Sequence, residues 1–280
     1  MRELSAQMIT EAVRDLFIQA NRTLPPDACA LIEQAQHTET NPLAKSILEK
    51  LTENLNAAKE MKLPICQDTG MAVLFAEVGS ELHINGNFEE AIAAGVRRAY
   101  VEGRLRASVV RDPLYDRANT TDNTPPVLHT RIVPGDRLRL IAAPKGFGSE
   151  NMSALKMFTP AATEEDIIRF VCDTVEKAGG NPCPPVLVGV GIGGTFEYAA
   201  YLAKRALTRP VSLRNPDARY AALEEKMLNA INQLQVGAQG FGGDVTAFAV
   251  NVEQYPTHIA GLPVAVNINC HVMRHAECEL

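Results

Sequence analysis

The chain has 280 residues, 46% of them hydrophobic and 21% charged, with 27 basic against 33 acidic side chains and a net charge of −6. That composition suits a globular chain with a sizeable core and excludes a disordered or fibrous one. No Lys/Arg cluster is interleaved with aromatics, which argues against nucleic-acid binding. No apolar run approaches the roughly 18–20 residues of a membrane span, and residues 1–20 read as a charged amphipathic helix rather than a signal peptide, so a cytoplasmic location is expected.

Leu4, Met8, Ile9, Val13, Leu16 and Phe17 recur at helical spacing, predicting a helix over 4–20 that Thr23–Pro26 stops. A short helix follows over 28–36, and Leu43, Ile47, Leu48, Leu51 and Leu55 predict a third. The first quarter therefore reads as a helical layer, about 1–62, packed on an α+β part, 63–280, within one domain. Beyond it the apolar run Met71–Val78 predicts a strand, and Asn85-Gly86 a turn. Phe88, Ile92, Val96, Ala99 and Tyr100 predict a helix, 104–131 a long polar segment, and 137–143 an alternating strand.

The Met/Leu pattern after Asn151 reads as helix. Thr163-Glu164-Glu165-Asp166 opens another that Gly179-Gly180 ends. Strands are expected over 185–190, 245–252 and 262–269, with helices up to Ala206 and over 216–234. The whole reads as a helix-rich α+β protein with a mixed sheet.

The chemistry concentrates elsewhere. Leu63-Pro64-Ile65-Cys66-Gln67-Asp68-Thr69-Gly70 packs a soft ligand, an amide, a carboxylate and a turn glycine into one short stretch, with Pro64 favouring an extended approach to Cys66. Cys183 lies among prolines in Asn181-Pro182-Cys183-Pro184-Pro185, and Cys270 ends an apolar run before His271. By contrast Cys29 and Cys172 sit on helical patterns as small hydrophobes, and Cys278 falls in a frayed C-terminus. In a reducing compartment six cysteines point to metal or catalysis rather than a disulfide framework. With no CxxC pair, a zinc ribbon or ferredoxin-type site is disfavoured.

Three glycine-rich loops add possibilities. Lys145-Gly146-Phe147-Gly148-Ser149-Glu150-Asn151 could offer N–H groups and a lysine to an anion, or be a plain strand-to-helix turn. Gly189-Val190-Gly191-Ile192-Gly193-Gly194 matches the dinucleotide-binding pattern, but no ribose-binding acid follows at the end of a second strand, which leaves a small-anion loop or close packing. Gly237–Asp244 is the third. In the polar segment 104–131 the arginines are candidate carboxylate clamps. His258, beside Pro256, is either structural or an acid–base group.

Taken in order, Cys66-Gln67-Asp68-Thr69-Gly70, Lys145–Asn151, Asn181–Pro185 with its glycine loop, and Cys270 resemble the α portion of the iron–sulfur class I fumarate hydratases and their tartrate dehydratase relatives. The resemblance covers almost the whole chain. It implies a [4Fe–4S] cluster held by Cys66, Cys183 and Cys270, with one iron left open as a Lewis acid. It places Gln67 and Asp68 at the substrate carboxylate and the departing hydroxyl or its neighbouring proton, with Asp68 the candidate for proton transfer or for orienting water, and makes Arg106 a bidentate carboxylate clamp. Gly148 and Asn151 would line the pocket and His258 would touch the same dicarboxylate.

The family's remaining substrate groups belong to a β portion, so a β subunit in a heteromer is expected. The implied reaction is reversible hydration of fumarate to (S)-malate. The alternative is the α subunit of an L(+)-tartrate dehydratase. Other classes are a non-catalytic iron–sulfur sensor or carrier, and a structural zinc site using His271.

Overall fold

The computed structural model describes residues 2–280. In chain order the elements are β1 (Arg2–Ser5), α1 (Ala6–Arg22), α2 (Pro26–Thr38), α3 (Pro42–Met61), β2 (Met71–Gly79), β3 (Leu82–Asn85), α4 (Phe88–Glu102), β4 (Val127–Val133) and β5 (Leu138–Lys145). The single turn α5 (Phe147–Glu150) follows, then β6 (Ala154–Phe158), α6 (Glu164–Ala178), β7 (Val186–Gly193), α7 (Phe196–Ala206), α8 (Ala218–Asn232), β8 (Ala247–Tyr255), β9 (Leu262–Asn269) and β10 (Ala276–Glu279). Mixed sheets with many helices make the chain α+β, as the sequence predicts. Two compact units divide it: Met1–Pro25, Leu55–Phe147 and Arg274–Leu280 form the first, Pro26–Asn54 and Gly148–Met273 the second. α1 falls in the first unit and α2 in the second.

In the first unit the strands run β10-β5-β2-β4, with β2 antiparallel to β5 and parallel to β4, beside a parallel β1–β3 pair. The apolar stripe of α1 packs on α4 and β5. The two helices cross closely at Gly95, where a Cβ would come within 2.7 Å of the Val13 Cβ. Phe17, Leu74, Ile92 and Leu140 are fully buried in this core, each contributing about 1.5–3 kcal/mol.

Two expectations change here. β4 begins inside the segment read as a polar loop and runs two residues past its end; an edge strand with a mostly exposed pattern carries no apolar alternation to reveal it. Cys278 is held in β10 opposite Leu140 rather than frayed. Burial, reinforced by Glu277, pushes its thiol up, so it is a poor nucleophile.

In the second unit the order is β6-β9-β7-β8, with β7 parallel to β8 and antiparallel to β9. Every residue of β7 is buried. That strand extends through Gly193, because Gly189 and Gly191 are packing residues: a Cβ on either would come to 2.1 Å from the Ala203 or Ala199 carbonyl of α7. Close helix-on-strand packing, not a nucleotide or anion loop, explains the pattern. The stretch after Asn151 read as helix is β6, antiparallel to β9. α6 begins with the expected cap, in which the Thr163 side chain accepts from the Asp166 N–H and Asp166 accepts from the Thr163 N–H. Among the described residues no helix is long and apolar enough to cross a membrane.

Candidate active site

In the first unit the Cys66–Gly70 turn is fastened on every side. The Ile65 N–H donates to the Asn21 carbonyl at 2.9 Å. Asp68 closes the turn on itself, its Oδ1 accepting from the Gly70 N–H at 3.0 Å, as an aspartate in a tight turn does. Gly70 has φ +78°, and a Cβ there would stand 2.7 Å from the Lys145 nitrogen, so only glycine fits. Behind it the buried Tyr100 hydroxyl lies 3.0 Å from the Thr69 carbonyl and 2.7 Å from that of Gly70. Burial is the main cause pushing this phenol up; Arg274 opposes it and Asp68 adds to it.

This turn meets two of the segments singled out by sequence. Asp68 Oδ2 accepts from the Phe147 N–H at 3.0 Å. Lys145, read as a charge for an anion loop, is instead buried at 4% exposure. The segment is thus a strand-to-helix turn that serves Asp68, with the Phe147 N–H spent on that carboxylate. On the other side Thr69 Oγ1 accepts from the Arg106 N–H at 3.0 Å and donates to the Arg106 carbonyl at 3.2 Å. Asn123, fully buried, steadies the same loop by accepting from the Ser108 and Val109 N–H groups while donating to the Gly70 carbonyl. Arg106 is exposed and makes no ion pair among the described residues. Cys66 and Asp68 are half-buried and Gln67 is exposed. The first unit therefore gathers Cys66, Gln67, Asp68, Arg106 and the Gly146 turn.

In the second unit Cys183 and Cys270 share one end of the sheet, because the start of β7 pairs with the end of β9, Leu187 opposite Asn269. Cys183 is exposed with φ +54°. Its carbonyl accepts from the His271 N–H at 3.3 Å and lies 3.0 Å from His271 Nδ1. Gln239, in the third glycine loop, donates through both its N–H and its amide to the Pro184 carbonyl, and its amide reaches His271 Nδ1 at 3.2 Å. Buried Glu39 secures that loop by accepting from the Asp244 and Val245 N–H groups. Nδ1 of His271 is thus engaged with this brace.

Gly148 also lies here, where a Cβ would be 3.3 Å from the Asn181 carbonyl, and Asn151 is exposed nearby in sequence. His258 is not brought to this end. The Thr257 hydroxyl donates to the Gly194 carbonyl just past the far end of β7, so His258 stands about 25 Å from the cysteine end, the length of an eight-residue strand.

Among the described residues no three His, Cys, Asp or Glu side chains form a group that could hold a metal ion. Cys66 belongs to one unit and Cys183 and Cys270 to the other. The donor chemistry nonetheless fits an iron–sulfur group: none of the three cysteines is in a disulfide, none is fully buried, and thiolates are the ligands such clusters take. Cys172 differs, since burial pushes its thiol up on α6. Asn123, Gln239 and Arg274 carry no sequence motif; only Gln239, inside a glycine-rich loop, had a local signal.

Comparison with known proteins places these segments. Residues 10–279 match the fumarate hydratase (Fumerase) family. The chain is 40% identical over 273 residues to a Methanocaldococcus jannaschii protein named "Putative L(+)-tartrate dehydratase subunit alpha", covering 96% of each chain. It is 30% identical over 277 residues to the L(+)-tartrate dehydratase subunit alpha of Escherichia coli, covering 98% of this chain and 91% of that one. A match over nearly the whole length, with residues 66–70 and 145–151 and all three cysteines inside it, means that the chain belongs to the fumarate hydratase family and is a hydro-lyase.

Proposed function

We propose that the chain is the α subunit of an L(+)-tartrate dehydratase, which removes water from L(+)-tartrate to leave the enol of oxaloacetate, and that it works with a β subunit. The observation that carries the substrate assignment is the 40% identity across 96% of both chains to a relative with that name. The word alpha in that name supports the partner. Hydration of fumarate, the first expectation from sequence, is the second reading, favoured by the description of the matching family.

Cys66, Cys183 and Cys270 would hold a [4Fe–4S] cluster, which when bound supplies a Lewis-acidic iron that makes hydroxide a better leaving group. The chain's own residues do the rest. Asp68 takes up or returns the proton on carbon: each carboxylate oxygen accepts one backbone N–H and keeps a lone pair for it. Arg106, its main chain fixed to Thr69 next to Asp68, clamps a substrate carboxylate through its guanidinium. Gln67 offers an exposed amide to the hydroxyl or carboxylate, and Gly148 and Asn151 are proposed as substrate-lining residues. The geometry of this chain lends His258 no support as a contact of the same substrate.

The test is co-expression with the neighbouring β-type protein under anaerobic conditions and assay of both substrates. Turnover of L(+)-tartrate should appear only with the partner and exceed that of fumarate by about tenfold or more, roughly 1.4 kcal/mol of discrimination. A preference for fumarate would overturn the substrate assignment. Full rates from the chain alone would remove the partner.

A further inference from the structure

Arg274 opens the last segment of the first unit and is 3% exposed. Its Nη2 donates to the Asp68 carbonyl at 2.6 Å and its Nε to the Pro144 carbonyl at 3.3 Å. It makes no ion pair among the described residues, and its buried Nη1 has no hydrogen-bond partner. A charged side chain kept dry on two carbonyls, with one donor group unsatisfied, is a poor choice for stability alone. What it does geometrically is join the turn that carries Asp68 to the end of β5, just ahead of the Phe147 N–H that holds the Asp68 carboxylate. Gly146 leaves the room for this. A Cβ there would come to 3.1 Å from Asp68 Oδ2 and 3.4 Å from Arg274 Nη2, so both groups lie against the same small residue.

We propose that Arg274 is a positioning residue, which fixes the main chain at Asp68 against the end of β5, next to Phe147, so that the Asp68 carboxylate is presented in one orientation. The proposal rests on the reading of Asp68 as the proton-transfer group. Lysine could keep the charge but not bridge two carbonyls from one planar fork, which makes Arg274→Lys the informative variant and Arg274→Leu the severe one.

Hydrogen exchange on the purified chain tests the brace without any turnover. In Arg274→Lys the amides of Gly70 and Phe147 should exchange about tenfold faster or more, as expected for loss of a charge-assisted bond, while those of α6 stay unchanged. Unaltered exchange at both amides would overturn the proposal. In the cluster-loaded two-subunit enzyme the same variant should lower kcat by about 10²-fold, with KM within about threefold and iron content as in the parent, and Arg274→Leu should be worse. Equal loss of iron and kcat would also overturn it, by making Arg274 a support of the cluster. Should exchange rise while kcat stays unchanged, and Asp68→Asn also turn over normally, the role given to Asp68 fails and Arg274 has no catalytic group to position.

Discussion

Replacing Cys183 by serine removes most of the iron from the anaerobically reconstituted chain, at least about tenfold, whereas replacing Cys172 by serine leaves iron content unchanged. The contrast follows from where the two thiols are. Cys183 is exposed, holds a left-handed backbone conformation that few side chains adopt, and has its carbonyl fastened by His271. Such strain persists where the surroundings over-determine it, and it concentrates at functional positions. Cys172 lies half-buried on α6 against the second unit's core, and burial pushes its thiol up. Serine offers a hard oxygen with little affinity for an iron–sulfur cluster, so a ligand cannot be replaced by it while a packing cysteine can. Measured iron and sulfide in the two variants decide the matter, and equal values would remove Cys183 from the ligand set.

Asp68→Asn should lower turnover in the assembled enzyme by about 10²–10⁴-fold, the usual contribution of a positioned acid or base, with iron content retained. The substitution keeps shape and volume but removes the group proposed to carry the proton. It also has a structural cost. Each carboxylate oxygen accepts one backbone N–H, from Gly70 and from Phe147. An amide has a single acceptor oxygen, so one of those donors loses its partner, at about 1–3 kcal/mol. A modest fall in melting temperature should accompany the loss of activity. Asp68→Asn with parental kcat, cluster intact, would mean that Asp68 only orients the turn.

The sequence made the helices legible wherever an apolar stripe coincided with a cap. α6 is the clearest case, bounded by its Thr163 box and ended at Gly179, whose φ is +53°. The strands were harder. β6 has a mixed pattern that a helical reading fits as well, and its identity comes from pairing with β9. β4 and β10 are edge strands with half of their residues or more in water, so no alternation announces them.

At the candidate site the Cys66–Gly70 stretch stood out in sequence by its chemistry beside a turn glycine, and the roles of Gln67, Asp68 and Arg106 came from the family resemblance. What braces the segments did not. Asn123 and Arg274 in the first unit, and Gln239 beside Cys183 in the second, act through main-chain carbonyls and N–H groups far away in sequence, and such contacts exist only once the chain is folded. His258 shows the converse: twelve residues before Cys270, it nonetheless ends up a strand's length from it, because β9 runs back along β7 between the two.

The proposed [4Fe–4S] cluster would take its ligands from three separate segments, at Cys66, Cys183 and Cys270. Its decisive test is anaerobic reconstitution of the purified chain, followed by iron and acid-labile sulfide analysis with visible absorption. About four irons and four sulfides per chain, with a broad brown absorption that disappears in Cys66→Ser, Cys183→Ser and Cys270→Ser, is the predicted result. A colourless chain holding zinc or no metal would contradict it.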